Sequence, residues 1–589
     1  MCSRRFVGGV LLVVLASEAS AGQKAEGQEW VARSNAHAQV LLDATARFNP
    51  EEASASGVAT HDEGVVDLGP RVGERRRAAL ARVQAELEKR LAAEKDANIR
   101  QDLRILVKAA RDDIEGSTLD ERYLLTWVDV PKLMFRGFAE LLQDDVAPAR
   151  RAKALTRLRR YVGLEPGRKP LTGLARARFE ERLSNPKLLG PVKLELEQAM
   201  SNAPTYVKGI RELFTKYEIA DAGPALEALD KQVADYVAWE REGVLPRARE
   251  DFRLPPELYA FGLEQYGIDI APEQLVRRAQ FEFLEIRAQM QALAPLVAKE
   301  RGLEATGYRD VIRALKKDQL ARERIEPHYR EVIGQLERLI TEQRVVDLPK
   351  RPMVMRLASD AESAAQPAPH LDPPPLVDNT GEPGQFVLPL DNPKPDGQGE
   401  RLDDFSFSAA AWTLSAHEGR PGHELQFSAM VERGVSLARS EFAFNSVNAE
   451  GWALYAEAEM FPYEPLDGQF IALQFRLLRA ARAMLDPMLN LGRISREEAG
   501  RILSDEVVLS PAMVRQELDR YTFRHPGQAG SYFYGYTRLL ELRAETELAL
   551  GPKFDRLAFN DFIIGQGLLP PDLLARAVRE EFVPARKAQ

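Results

Sequence analysis

Cysteine is almost missing from this sequence. The 589 residues include one, Cys2, so the chain can form neither an intramolecular disulfide nor a zinc site with cysteine ligands. Histidine is also scarce, with seven residues in the whole chain. A metal site here must therefore be built from histidine, aspartate or glutamate, and two histidines close together in sequence are the first place to look for one.

The sequence also lacks an excess of basic residues and long apolar runs. Its formal net charge is −9, so a basic surface that binds nucleic acid is not expected. Beyond the N-terminus, no apolar segment reaches the roughly 20 residues that cross a membrane as a helix. Hydrophobic residues make up 45% and charged residues 29% of the chain, which is typical of a globular protein and excludes disorder as its main state.

Residues 1–21 are predicted to be a secretory signal peptide. Arg4 and Arg5 precede an uncharged apolar run over residues 6–16, and residues 19–21 have the small-x-small pattern that is found before a cleavage point. We expect a periplasmic or secreted protein that has no stable insertion in the membrane once this segment is removed. An uncleaved N-terminal anchor is the alternative.

The rest of the chain predicts a mainly α, two-lobed fold. Residues 22–348 are expected to form an N-terminal helical lobe, in which apolar residues at three-to-four spacing predict helices over 75–93 and 275–293. Helical texture returns in a C-terminal lobe over residues 405–589.

A proline-rich segment over residues 349–404 separates the two predicted lobes. It contains one convincing strand, Gln385–Leu390, and Pro389 within that strand favours an edge position. The segment is interpreted either as a linker or as a loop and edge strand that line a cleft, where an extended peptide could add by strand pairing.

The stretch His417-Glu418 followed by His423 carries the clearest chemical signal. In zinc peptidases, two histidines one helical turn apart bind the metal, and a glutamate directly after the first acts as general base. The spacing here is six residues, which points the two rings to different sides of an ideal helix. Pro421 and Gly422 lie between them and could distort the helix enough to bring the rings together. Two unrelated histidines near a helix break are the alternative.

A third metal ligand is expected from a later helix. Glu450 is the preferred candidate, and Gly451 beside it would allow close helix packing at the metal. Glu457 lies seven residues further on, on nearly the same helix face, and is expected to support a ligand rather than to bind the metal. The alternative is an ordinary charged helix face.

These motifs resemble a known family. His-Glu-Gly-x-Pro-Gly-His at 417–423, Glu-Gly-Trp-Ala-x-Tyr at 450–455 and Pro-Gly-Gln-Ala-x-Ser-Tyr at 526–532 look like the bacterial family catalogued as domain of unknown function 885. Its members are similar to zinc-dependent metallopeptidases of mostly helical fold. The resemblance therefore implies a metallopeptidase-like fold and a bound Zn²⁺. It is strong over residues 405–582 and diffuse over 30–404.

The resemblance also bears on single residues. Tyr532 matches the family's Ser-Tyr segment and is expected to donate a hydrogen bond to a developing oxyanion, with aromatic core packing as the alternative. Glu424 and Asn490 stand where relatives often have histidine, and His525 replaces a common aromatic residue. The sequence leaves open whether four more residues take part in the site: Glu457, His525, Arg520 and Tyr521.

Together these features predict a zinc-dependent hydrolase, most simply a metallopeptidase with a cleft between its two lobes. His417, His423 and Glu450 would hold Zn²⁺, and Glu418 would act as general base. The expected partner is a peptide or a small amide rather than nucleic acid, and the oligomeric state stays open. The alternatives are a zinc amidase acting on a non-peptide substrate and a degenerate envelope protein that binds peptides without turnover.

Overall fold

A computed structural model describes residues 29–392 and 399–588 of the chain. These residues are mainly helical, as the sequence predicts, and include a small mixed sheet of three strands. The predicted signal peptide at residues 1–21 lies outside the described residues. Within the described part, none of the helices combines the length and the hydrophobicity needed to cross a bilayer.

The first half of the chain consists of helices joined by short loops. Several of them begin with proline at the first or second position, where its missing N–H costs no helical hydrogen bond. The predicted helices over 75–93 and 275–293 are confirmed within α3 and α12, which are both longer than predicted. The elements are α1 (described over 29–46), α2 (Pro50–Ala55), α3 (Val72–Ala93), α4 (Ala97–Tyr123), α5 (Val130–Ala139), α6 (Pro148–Arg151), α7 (Ala154–Tyr161), α8 (Leu171–Arg182), α9 (Lys193–Lys216), α10 (Gly223–Trp239), α11 (Pro256–Gln265), α12 (Pro272–Arg301), α13 (Tyr308–Leu315) and α14 (Arg322–Glu342).

The strands lie in the proline-rich segment. Strands β1 (Val354–Leu357), β2 (His370–Asp372) and β3 (Gln385–Leu388) form a sheet in the order β1-β3-β2, with β3 parallel to β1 and antiparallel to β2. A short helix, α15 (Asp360–Ala365), follows β1, and β4 (Asp391–Asn392) pairs with β5 (Glu400–Arg401).

The predicted edge position of the strand at Gln385 is wrong. Strand β3 is the central strand of the sheet, and all four of its residues are buried. Pro389 lies one residue beyond the end of the strand, so its missing N–H removes no hydrogen bond from either ladder. Strand β2, which pairs antiparallel with β3, is an edge strand of the sheet, and the sequence does not predict it.

Helices return after residue 409 and carry the predicted site residues. They are α16 (Ala410–Leu414), α17 (His423–Arg433), α18 (Ser446–Met460), α19 (Leu466–Asn490), α20 (Arg496–Arg501), α21 (Pro511–Asp519), α22 (Ser531–Leu550), α23 (Arg556–Gly565), α24 (Pro571–Ala577) and α25 (Val583–Ala588). The largest cluster of buried apolar side chains joins α11–α14 to these later helices, and α12 packs along α19. That cluster therefore draws on both sides of the predicted boundary at residue 348, and the division into two lobes stays a prediction.

Two glycines let α18 and α22 cross at very short distance. A Cβ atom on Gly451 would lie 2.6 Å from the carbonyl carbon of Gly535, and one on Gly535 would lie 2.0 Å from the carbonyl oxygen of Val447. No side chain fits between the two backbones at this point. The crossing therefore brings Glu450 on α18 and Tyr532 on α22 towards each other.

We predict that Gly451→Ala destabilises the protein because the added methyl group overlaps the backbone of α22. The expected loss is about 1–3 kcal/mol, as for overpacked sites in general, and a lower midpoint of thermal unfolding would reveal it. Gly173→Ala is the matched control, since it also lies in a helix but its Cβ would meet open space. The control should be neutral or slightly stabilising, and a Gly451→Ala protein as stable as wild type would contradict the steric argument.

Candidate metal centre

The chain leaves the ideal helix between the two histidines of the motif. Helix α16 continues into a π turn, Ser415–Gly419, a cis peptide bond precedes Pro421, and α17 begins at His423. A Cβ atom on Gly422 would lie 1.9 Å from the carbonyl oxygen of His417, so only glycine fits at this position. As a result the imidazole ring centroids of His417 and His423 are 4.8 Å apart, with ring planes at 83°.

Buried polar contacts hold this break in place. The Arg420 guanidinium donates from Nε to Glu424 Oε2 (2.6 Å), and the Ser428 hydroxyl donates to the same carboxylate (2.7 Å). Trp452 Nε1 on α18 donates to the carbonyl oxygen of Pro421 (3.0 Å). Glu424 therefore faces Arg420 and stabilises the turn.

Three donor atoms converge from the break and from α18. Glu450 Oε2 is 3.4 Å from His417 Nε2 and 3.2 Å from His423 Nε2, and one donor atom of each residue lies within 4.8 Å of the other two. Ligand atoms of a tetrahedral zinc site are about 3.3 Å apart when the bonds are about 2.0–2.1 Å long. Both contacts to Glu450 match that spacing, and two imidazoles with one carboxylate are a donor set that suits zinc.

The orientation of the His417 ring is fixed from behind. Its Nδ1 donates to Glu457 Oε1 (2.6 Å), while Thr413 donates to Glu457 Oε2 (2.6 Å) and Arg479 Nη2 lies 3.2 Å from Oε1. A carboxylate on Nδ1 leaves Nε2 free to face Glu450, which is the usual support of a metal-binding histidine. Nδ1 of His423 is buried and has no such partner among the described residues.

The carboxylates create a negative potential at the imidazoles. Burial lowers the pKa of His417, but hydrogen bonds to Glu450 and Glu457 and the charge of Glu418 outweigh it and raise this pKa to about 9. For Glu450, burial raises the pKa, but His423 and His417 outweigh this effect and hold the pKa well below its ordinary value. A cation at the point where the three donors meet is therefore electrostatically favoured.

The donors face a cavity of about 600 Å³. Glu418, a mostly buried residue, lines this cavity with its Oε1 4.0 Å from His417 Nε2. A larger cavity of about 1240 Å³ lies beside α3 and α4, but it is lined by none of the predicted site residues. The chemistry of the side chains, rather than cavity size, identifies the smaller cavity as the candidate site.

Tyr532 completes the wall beside His417. The two rings are nearly parallel, at 10°, with centroids 6.1 Å apart, and the Arg482 guanidinium lies 4.6 Å from the centroid of the tyrosine ring. Arg520 Nη2 donates to the Tyr532 hydroxyl oxygen (2.7 Å). Burial raises the pKa of Tyr532 above its ordinary value although Arg520 opposes the shift, so the phenol keeps its proton and can donate it into the cavity.

The remaining candidates divide between the cavity and its support. Arg520 and His525 line the cavity, whereas the hydroxyl of Tyr521 donates to Glu517 (2.6 Å) and does not reach it. Asn490 donates to Asp486 (3.0 Å), whose carboxylate also accepts from the backbone N–H of Gly527. Asn490 therefore helps to hold the loop that precedes Tyr532.

Sequence reasoning missed several residues around the cavity. Arg479 and Arg482 are buried on α19 at three-residue spacing, and charges inside an otherwise apolar helix are a signal that could have found them. Thr413 and the α5 residues Lys132 and Arg136 gave no such signal, because only tertiary packing brings them to the site.

Comparison with known proteins identifies the family. Residues 50–578 match the family described as "Bacterial protein of unknown function (DUF885)". The chain belongs to this family. No curated protein matches the sequence significantly.

Solved structures share the fold. One, described as "the putative lipoprotein from Colwellia psychrerythraea", has 19% identity and a TM-score of 0.73 over 94% of this chain and 99% of that chain. Another, described as "a putative lipoprotein of unknown function from Shewanella oneidensis", has 20% identity and a TM-score of 0.66 over 93% and 98%. These likenesses concern the fold alone, and the descriptions are compatible with the predicted envelope or secreted location.

We predict that Glu450 and Glu457 affect zinc affinity to different degrees. Glu450→Gln should abolish tight zinc binding because it removes a charged donor atom, whereas Glu457→Gln should weaken binding by about 10- to 100-fold because it disturbs only the support of His417. Competition with a chromophoric zinc chelator measures both affinities. The reverse order would exchange the roles of the two glutamates.

Proposed function

We propose that this protein is a zinc-dependent hydrolase of the cell envelope or the secreted fraction, and that it cleaves peptide bonds. The convergence of His417, His423 and Glu450 on one point, with Glu418 beside them in a cavity, carries the proposal. This combination supplies metal ligands and a nearby carboxylate that can move protons.

His417, His423 and Glu450 would hold the ion in this reaction. A bound Zn²⁺ supplies Lewis acidity, which lowers the pKa of a bound water to about 7 and polarises a substrate carbonyl. Glu418 accepts the proton of the attacking water at its carboxylate and delivers it to the nitrogen of the leaving amine. The water oxygen is thereby added to the carbonyl carbon, the C–N bond breaks, and the two products are an acid and an amine.

Tyr532 and Arg520 stabilise the negative charge that develops on the carbonyl oxygen of the substrate. Because Arg520 donates to the Tyr532 oxygen (2.7 Å), the hydroxyl proton of Tyr532 is free to point to the substrate. A neutral phenol polarised by a guanidinium is a good donor to an oxyanion.

The sheet edge beside the cavity favours a peptide over a small non-peptide amide. His370 and Leu371 of the edge strand β2 line the cavity together with the candidate metal ligands. An extended peptide could add to this edge through main-chain hydrogen bonds. A cavity of about 600 Å³ has room for several side chains of such a substrate.

We predict that Glu418→Gln keeps zinc and fold but loses at least about 10²-fold in kcat, the lower range for loss of a positioned general base. Turnover is measured with a peptide library and with small amides, and zinc by elemental analysis. Glu497→Gln, an exposed glutamate on α20, is the control for the charge change.

Each other outcome of that experiment has a distinct meaning. Cleavage of small amides but of no peptide would favour an amidase, and loss of zinc from Glu418→Gln would make this residue a ligand. A zinc-loaded wild-type protein that cleaves neither substrate class would contradict the hydrolase and favour a peptide-binding envelope protein.

We predict that Tyr532→Phe lowers kcat by about 10²- to 10³-fold, as the loss of an oxyanion donor does. The ring contacts with His417 and Arg482 remain, so zinc affinity should not change. Tyr534→Phe is the matched control, since its hydroxyl binds Asp269 and it does not line the cavity. Equal turnover in the two variants would assign Tyr532 to packing alone.

A further inference from the structure

One part of the metal cavity is lined by four cations from two distant segments of the chain. Lys132 and Arg136 come from α5, and Arg520 and Arg524 from a π turn that follows α21. The proposed hydrolytic reaction uses only Arg520 of these four. The other three therefore need a separate explanation.

The four cations have few carboxylate partners. The nearest carboxylate oxygen to Arg520 belongs to Glu517 at 3.9 Å, and Glu517 is already engaged by Arg482 through two contacts of 2.8 and 2.6 Å. Arg524 donates to the Gln198 side chain (3.2 Å) and is 3.9 Å from Asp519. The side chains of Lys132 and Arg136 form neither a hydrogen bond nor an ion pair with any described residue.

All four cations act electrostatically on the imidazole of His525, which lines the same cavity. Burial, together with Arg520, Lys132, Arg136 and Arg524, lowers the pKa of this histidine to about 3, so it stays neutral among them. Burial and the neighbouring Arg136 and Arg524 lower the pKa of Lys132 to about 8, which still leaves it mostly protonated at pH 7.

Acidic residues near the four cations do not cancel their positive charge. The carboxylates that act on Lys132 are Asp129 and Glu195. Burial and the charge of Asp129 raise the pKa of Glu195 to about 7 although Lys132 opposes the shift, and burial also raises the pKa of Asp129. The part of the cavity that these four side chains line is therefore positive at neutral pH.

We propose that Lys132, Arg136, Arg520 and Arg524 bind the C-terminal carboxylate of a peptide substrate, so that the protein removes residues from the C-terminal end. This inference rests on the proposed function. The cluster adjoins the metal donors, since Arg520 contacts Tyr532 and the Tyr532 ring lies 6.1 Å from that of His417. An extended peptide advances about 3.3 Å per residue, so only a few residues separate a carboxylate at the cluster from the cleaved bond.

Binding of two short peptides tests the subsite without turnover. The probes are N-acetyl tetra-alanine with a free C-terminal carboxylate and the same peptide as its C-terminal amide. Isothermal titration uses zinc-loaded Glu418→Gln protein, and is repeated on wild-type protein after the metal has been chelated. We expect the free acid to bind about 10- to 100-fold more tightly than the amide in both forms, as for hydrogen bonds to charged groups.

Variants locate the preference on the cluster. Lys132→Gln combined with Arg136→Gln should bring the affinity of the free acid to within a few-fold of that of the amide. If this double variant does not fold, the single variant Arg524→Gln replaces it and should also weaken binding of the free acid. Lys208→Gln removes an exposed positive charge on α9 and should keep the full preference. An amidated peptide that ends in aspartate tests whether the cluster recognises a side chain instead.

Four results would overturn the proposal: equal affinity for acid and amide, a preference that disappears when only the metal is removed, variants that keep the preference, or equal binding of the aspartate-ended amide. Failure of the proposed function is a separate result. In that case the acid would bind preferentially at the cluster although neither peptide is hydrolysed. Equal kcat/KM for the acid and the amide would agree with the proposed hydrolase but contradict the carboxylate subsite.

Discussion

The candidate site depends on a single steric constraint, the close approach of Gly422 to the carbonyl oxygen of His417. With any side chain at residue 422 the backbone could not fold back, and two histidines six residues apart would face different directions. The buried Arg420–Glu424 pair and the hydrogen bond from Trp452 keep the chain in this conformation. The motif is therefore a broken helix that brings the two histidines together, and Glu450 on the neighbouring helix faces both of them.

Compensated charge is the second condition for such a site. His417 and Glu457 are almost completely enclosed and Glu450 is mostly buried, and buried charges are tolerated only when they are paired and hydrogen-bonded. Arg479 meets Glu457 behind His417, so the side facing the three donors keeps a net negative potential that suits a cation. On the far side of Tyr532 the balance is reversed, because Arg520 and its neighbours exceed the acids around them. We propose that one cavity presents both a cation site and an anion site, which is the polarity that a peptide terminus beside a metal requires.

The sequence predicted the parts of this arrangement that local chemistry determines. The apolar spacing identified helices, the Pro-Gly pair marked the break, and the two glutamates of α18 stood out because they lie seven residues apart on nearly the same helix face. It misplaced the strand at Gln385, because a proline one residue beyond a strand looks the same in sequence as one inside it. It also missed Lys132 and Arg136, since neither carries a motif and both reach the cavity only through the long-range packing of α5.

The central claim is that His417, His423 and Glu450 form one zinc site. X-ray absorption at the zinc edge of the purified, zinc-loaded protein tests it most directly. The account predicts about one zinc per chain, with two imidazole nitrogens at about 2.0–2.1 Å and a carboxylate oxygen at about 2.0–2.2 Å, and loss of this signal in the His417→Ala and His423→Ala variants. A protein that takes up no zinc, or a zinc spectrum without imidazole scattering, would contradict the account.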